Sequence, residues 1–279
     1  MSVWFVTGAS RGLGLEIVKA ALERGEQVVA AARSPRQVQE ALPSGRADQL
    51  LVVPLDVTDQ EQAQAAVKAA LARFGGIDVL VNNAGRGLVG AVEETSDAEA
   101  RAVFDINVFG LLTVLRAVTP VMRAAGRGRI VNISSTGGVV AWPGWGVYSA
   151  SKFAVEGITE ALRLELAPLG IQVTSVQPGP LRTGFLGTSS LEHAERVIDD
   201  YAATGGASRA WAGANHGQQE GDPARAAAAV LTLAGLPEMP ARLPLGTSTL
   251  SDIRTKLAAV GAELETWHDL ARSSDITPA

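Results

Sequence analysis

Val3-Trp-Phe-Val-Thr7-Gly8-Ala9-Ser10-Arg11-Gly12-Leu13-Gly14 comes almost at the start of the chain. Five strand-forming residues lead into three Gly within seven positions, and a helical pattern runs on from Leu13 to Arg24. Gly at such a hinge lets backbone approach a ligand closely, and a helix N-terminus offers free N–H groups and a positive dipole end to a phosphate. The spacing is Gly-x-x-x-Gly-x-Gly, a variant of the dinucleotide fingerprint rather than a strict match. Taken alone it is equally a tight β–α turn that needs Gly for packing. The same letters also satisfy Gly-x-Ser-x-Gly, the nucleophile elbow of serine hydrolases, with Ser10 as nucleophile and His216 or His268 as base. That elbow belongs deep in a sheet after several strands, whereas here it follows the first.

Outward from this stretch, strands and helices alternate. Short apolar runs with β-branched residues lie at Gln27–Ala32, Leu51–Pro54, Val79–Asn82, Ile130–Ser134 and Gln172–Gln177. Helical spacing fills Leu13–Arg24, Asp59–Phe74, Asp97–Ala125 and Ser149–Ala167. Such alternation predicts an α/β fold, a doubly wound Rossmann-type parallel sheet with helices on both faces, whose ligands bind outside the carboxyl ends of the strands. One domain over residues 1–279 is expected. Within it, 184–221 reads as a substrate lid with a helix-like stretch near Leu191–Tyr201. Asp222-Pro223 looks like an N-cap with Pro at the first helical position. A strand at Arg242–Leu245 and a C-terminal extension over 247–279, mostly the helix Ser251–Ala271, close the chain.

Composition narrows the chemistry. The 279 residues carry 24 Lys plus Arg against 29 Asp plus Glu, no Cys and three His. No Cys removes disulfides, thiolate metal sites and Cys nucleophiles, and the scattered His193, His216 and His268 form no metal pair, so no metal site is expected. Mild acidity without a basic run speaks against nucleic acid. No stretch of 18 apolar residues suggests a membrane span, and the start lacks a basic leader, so a cytoplasmic protein is the default expectation.

The end of the second strand bears on the cofactor. An NAD site wants an acidic residue there to hold the ribose 2′-hydroxyl. The strand instead ends Ala32-Arg33-Ser34, and a guanidinium at Arg33 suits a 2′-phosphate, with Arg11 in the Gly turn as a second positive charge. The residues therefore favour NADP(H). Tyr148-Ser-Ala-Ser-Lys152 begins a helix and places a Tyr and a Lys on one face. A nearby ammonium is expected to lower the Tyr pKa toward general acid/base use. A bare Tyr-x-x-x-Lys is usually a solvated helix face, but this chain has only two Tyr and four Lys. Upstream, Ser135 follows a strand and can hydrogen-bond a carbonyl oxygen, with Ser134 as the alternative.

Taken together, the sequence resembles the short-chain dehydrogenase/reductase family over roughly residues 3 to 183. Thr7-Gly8-Ala-Ser-Arg-Gly12-Leu-Gly14, Leu55-Asp56-Val57, Asn82-Asn83-Ala84-Gly85, Asn107, Ser135, Tyr148-x-x-x-Lys152 and Pro178-Gly179-Pro180-Leu181-Arg182-Thr183 carry the resemblance. It implies Tyr148 as proton donor in carbonyl reduction and Lys152 as ligand of the nicotinamide ribose and tuner of the Tyr. It implies Ser135 as holder of the carbonyl and Asn107 as holder of a relay water. Gly8, Ser10, Arg11, Gly12, Leu13, Gly14, Arg33, Asp56, Val57, Asn83, Ala84, Gly85, Tyr148, Lys152, Pro178, Gly179, Leu181 and Thr183 would then contact the cofactor. Many relatives end in a short strand and a Gly-Gly turn that builds a tetramer; here about 30 residues follow Gly246, which leaves a homodimer or a monomer open.

The expected substrate is a small apolar ketone, aldehyde or alcohol, held by Val139–Trp145, the segment after Gly85, and the lid, with Trp142, Trp145 and Trp211 as candidate walls. A catalytically vestigial NADP-binding regulatory protein is the alternative from another class.

Overall fold

A computed structural model of the chain describes residues 1–42, 46 and 48–276. In chain order its elements are β1 (Val3–Thr7), α1 (Gly12–Glu23), β2 (Gln27–Ala32), α2 (Pro35–Ala41), β3 (Leu50–Pro54), α3 (Gln60–Phe74), β4 (Val79–Asn82), β5 (Gly87–Val89), α4 (Asp97–Phe104), α5 (Leu111–Ala125), β6 (Gly128–Ile133), α6 (Gly146–Leu166), β7 (Ile171–Pro178), β8 (Leu191–His193), α7 (Ala207–Asn215), α8 (Pro223–Ala234), β9 (Arg242–Leu245), α9 (Thr247–Thr266) and α10 (His268–Arg272). Seven strands form one sheet in the order β3-β2-β1-β4-β6-β7-β9, and every pair in it is parallel. The doubly wound architecture expected from the alternation is the one observed.

All five residues of β1 are buried, as a central strand covered on both faces requires. One core lies between the sheet and α1 and α8, built on Val6, Ile17, Val18, Val28 and Leu231. The other packs Phe5, Leu80, Val118, Met122 and Ile130 beneath α3, α5 and α6. Local signals agree with this. Asp59 caps α3 by accepting from the Glu61 and Gln62 N–H groups, and Gly75 ends it at φ 80°. Asp222 caps α8 with Pro223 in the first turn, as read from the sequence. The strand order reverses between β1 and β4, so the loops leaving those two strands diverge and open a crevice between them.

Three expectations need correction. Asp97–Ala125 is not one uniform helix: Asp105–Gly110 adopts π-helical geometry between α4 and α5. The stretch Leu191–Tyr201 is not helical. Leu191–His193 pairs with Gly87–Val89 as a small parallel ribbon, and the helix of the 184–221 segment is α7. The Ser251–Ala271 helix starts four residues earlier, at Thr247, and is broken at Trp267 before α10; positions 277–279 of the extension lie outside the described residues. The helical run Asp97–Ala125 is long and apolar enough to cross a membrane by length and composition. Its Val103, Val108, Val114, Val118 and Met122 are nonetheless buried in the protein, as in a core helix.

Candidate active site

The β1–α1 turn is built for close approach. Gly8 and Gly12 sit at φ +66° and +56°, which side chains rarely adopt. The Thr7 hydroxyl accepts from the Asn83 and Ala84 N–H groups at 3.0 and 3.1 Å. In return, Asn83 Nδ2 donates to the Thr7 carbonyl at 2.9 Å and the Gly8 carbonyl at 3.2 Å. The turn is thereby sewn to the loop after β4. Arg11, at the N-cap of α1, provides no side-chain cap, so the first-turn N–H groups of α1 face outward as an anion site. Gly14 lies behind this surface rather than on it: a Cβ there would run into Asn83 Nδ2 and the Gly8 carbonyl.

The turn opens into a cleft of about 1500 Å³, larger than a small-molecule pocket and roomy enough for a dinucleotide with a substrate. Gly8, Ser10, Arg11, Gly12, Leu13, Arg33, Asp56, Val57, Asn83, Ala84, Gly85, Pro178, Gly179, Leu181 and Thr183 all line it, as do Ser135, Tyr148 and Lys152. Asn107 does not; it is buried behind Gly85, whose Cβ position is 3.2 Å from Asn107 Oδ1. Among the described residues no His lines the cleft that holds Ser10, and His216 lies against Gly187. His268 stands on the exposed C-terminal helices against Asp269, and no group of three His, Cys, Asp or Glu suited to a metal occurs among the described residues.

Tyr148 enters from the first turn of α6. Its ring is flanked edge-on by Trp145 at 5.9 Å and tilted against Phe185 at 5.8 Å. Ser135 lines the same cleft, and its Oγ accepts from the Gly137 N–H at 3.0 Å. Burial pushes the Tyr148 pKa up to about 12, and the nearby Ser135 hydroxyl opposes this only in part. Lys152 Nζ donates to the Ile133 carbonyl at 3.0 Å and stands 6.0 Å from the Tyr148 ring centre. Burial pushes Lys152 down to about 8 against the attraction of Glu156. The expected lowering of the Tyr pKa by its neighbouring ammonium is therefore not what the protein's own groups produce. Desolvation dominates at both residues.

Beneath this pair, Asn107 sits in the π-helical stretch, a geometry that often marks function. Its Oδ1 accepts from the Arg86 N–H at 2.9 Å, and its Nδ2 donates to the Arg86 carbonyl at 3.0 Å and to Ser151 Oγ at 2.9 Å. Ser151 then donates to the Tyr148 carbonyl at 2.7 Å, a link the sequence reading missed.

Arg33 stands exposed on the cleft rim, and its charge is felt at Arg86 across the cleft. Arg11 is engaged otherwise: its Nη2 donates to the Ser189 carbonyl at 2.7 Å. Arg86 pairs with Glu192, so two arginines tie the 184–193 stretch across the cleft. Farther along, Glu94 is completely buried and accepts from Arg209 at 2.5 Å, from the Ile198 N–H at 2.9 Å and from the Ala91 N–H at 2.7 Å, which hold its carboxyl down to about 2. Tyr201, the second tyrosine, donates to Glu93 at 2.7 Å and takes part in this anchoring. At the opposite end of the chain, Thr249 in the first turn of α9 is hydrogen-bonded to Thr136, next to Ser135, at 2.8 Å.

A family model described as short chain dehydrogenase matches residues 2–194. The chain belongs to the short-chain dehydrogenase/reductase family. Oxidoreductase BOA17 of Botryotinia fuckeliana is 36% identical over 98% of each chain. The 3-ketodihydrosphingosine reductase of Bacteroides thetaiotaomicron is 40% identical over 71% of this chain and 70% of that one. A short-chain dehydrogenase structure from Streptomyces avermitilis superposes with a TM-score of 0.91 at 40% identity over 99% of both chains. Family members have been solved with either nicotinamide cofactor. A 3-ketoacyl-(acyl-carrier-protein) reductase from Brucella melitensis holds NADH (26% identity, TM-score 0.72, 88% of this chain and 96% of that one). A serine dehydrogenase in its closed form holds NADP+ (27% identity, TM-score 0.74, 87% and 94%). The protein is thus an oxidoreductase of this family.

Proposed function

We propose that the protein is a cytoplasmic NADP(H)-dependent enzyme that interconverts an apolar ketone or aldehyde and its alcohol. One observation carries this reading: Ser135, Tyr148 and Lys152 share a cleft with the uncapped start of α1. The residues present fit a dinucleotide, since Gly8, Ser10 and Gly12 of the turn line the cleft beside the start of α1 and Arg33 stands at its rim. When bound, that cofactor supplies the hydride. The chain supplies the rest. Ser135 Oγ holds the carbonyl oxygen, and the Tyr148 hydroxyl, neutral at pH 7, donates its proton as negative charge grows there. Lys152, on the same wall, would hold the cofactor's ribose. Asn107 acts as a positioning residue, because it clamps the Arg86 backbone and, through Ser151, the first turn of α6.

Arg33, with no acidic residue at the end of β2, supports NADP(H) over NAD(H). Arg11 adds to that preference only by releasing Ser189. Trp142, Trp145, Phe185 and Trp211 give the substrate end an aromatic wall, which suits an apolar carbonyl. The name 3-ketodihydrosphingosine reductase on one relative is in keeping with a ketone.

Calorimetric titration with NADPH and NADH tests the cofactor. The wild type is expected to prefer NADPH by roughly 10–100-fold, the worth of a charge-assisted hydrogen bond or two, and Arg33→Ala to lose that preference. Equal affinity of the wild type for both overturns the assignment. A ketone panel followed by loss of NADPH absorbance tests the chemistry. Tyr148→Phe is expected to lower turnover by about 10²–10⁴, and a variant with unchanged activity ends the proposed role.

A further inference from the structure

The C-terminal helices leave the body of the protein. Thr249 and Ile253 are buried at the root of α9, yet from Arg254 through Ile276 every residue is exposed except the half-buried Val260. Residues 254–267, the outer part of α9 with its C-cap, thus project as a helical arm about 21 Å long, and α10 follows the break at Trp267. A helix of this length is marginal in water on its own. Its apolar residues are also arranged for a partner: Leu257, Val260, Leu264 and Trp267 recur at spacings of 3, 4 and 3, the seam of a coiled coil. Leu257 is 60% exposed, Leu264 69%, Trp267 60% and Leu270 66%. The match to the Streptomyces avermitilis structure covers 99% of both chains, an extent that takes in the arm.

Charge decides what covers the seam. Arg254 and Lys256 lie in the root half of the arm, while Glu263 and Glu265 lie in the distal half. Asp252 precedes the arm, and Asp269 and Arg272 follow it in α10. Two such arms laid antiparallel set the basic half of each against the acidic half of the other, whereas a parallel pair sets like against like. An anionic lipid surface is a poor match, since the acidic residues of Asp252–Arg272 outnumber the basic ones. We propose that the arm pairs antiparallel with the same arm of a second copy of this chain. This places a dimer contact on residues 254–267, away from the cleft.

Sedimentation equilibrium of the full chain tests this directly. The wild type is expected to associate reversibly into dimers, and Leu264→Asp to weaken association by about tenfold or more. The charge pair supplies a second arm of the test. Arg254→Glu with Lys256→Glu, and separately Glu263→Lys with Glu265→Lys, should each weaken self-association. A mixture of the two variants should restore a heterodimer. All these positions are exposed, so the melting temperature of the body is expected to stay that of the wild type and serves as the folding control. A wild type that is monomeric at every concentration overturns the proposal. So does a dimer untouched by Leu264→Asp, which would sit on another face, or a mixture that stays monomeric. Monomeric wild type that sediments with phosphatidylcholine–phosphatidylserine vesicles overturns it in favour of a lipid surface.

Discussion

Replacing Lys152 with Met is expected to stabilise the fold while ending the proposed chemistry. Lys152 is buried, and its surroundings push its pKa from the ordinary 10.5 down to about 8. The folded value lies below the unfolded one, so the unfolded chain binds this proton more tightly. The cost of a buried ammonium is therefore present in full below pH 8 and fades as pH rises toward 10.5. At about 1.4 kcal/mol per pH unit the cost comes to roughly 3 kcal/mol at pH 7. Losing the bond from Nζ to the Ile133 carbonyl takes back about 1 kcal/mol. About 2 kcal/mol should remain in favour of Lys152→Met, or a Tm about 4 °C higher for a chain of this size. By pH 9.5 most of the ammonium cost is gone, and the two proteins should melt within about 1 °C of one another. Thermal melts followed by tryptophan fluorescence at the two pH values measure this. A Met variant that melts below the wild type at pH 7, or a gap that fails to narrow with rising pH, refutes desolvation as the dominant force on Lys152.

Two further outcomes follow from the same kind of reasoning. Glu94→Ala strands the Arg209 guanidinium and two buried N–H groups and should cost about 3 kcal/mol, with hydrogen exchange accelerating in 191–215 before the sheet. Because the Glu94 pKa falls to about 2 in the folded protein, its contribution is complete above about pH 4.5 and drains away as pH drops toward 2, which acid titration of the same exchange signal would register. Gly14→Ala drives a methyl group into the Asn83 amide and the Gly8 carbonyl. Urea unfolding should show a loss of about 1–3 kcal/mol; an unchanged midpoint would mean that the turn is not the rigid seam described above.

Much of this was legible in the letters because the signals were local. Alternating apolar runs and helical spacing locate six of the seven main-sheet strands, and the run at Arg242–Leu245 adds the seventh. Gly8 and Gly12 mark a turn, and the Tyr148–Lys152 spacing a shared helix face, features that depend only on near neighbours in sequence. What escaped depends on partners far away. The helix expected near Leu191–Tyr201 failed because Leu191–His193 is captured as a strand by Gly87–Val89, a hundred residues upstream. Val89 and Leu191 are buried together with Ala212, so tertiary packing overrides local spacing. Arg11 reads as a phosphate ligand until the fold brings the Ser189 carbonyl to it. The direction of the Tyr148 pKa was missed for a similar reason, because burial between Trp145 and Phe185 is not written in a four-residue spacing.

The hydrogen bond between Thr136 and Thr249 has a consequence for the order in which the protein becomes competent. The family match ends at residue 194, and by then synthesis has delivered the Gly turn, Ser135, Tyr148 and Lys152. The wall beside Ser135 still waits for β9 to pair with β7 and for α9 to deliver Thr249 against Thr136. A nascent chain thus carries its whole chemical vocabulary long before it can use any of it. About the last seventh of the molecule decides when residues 8–152 begin to work.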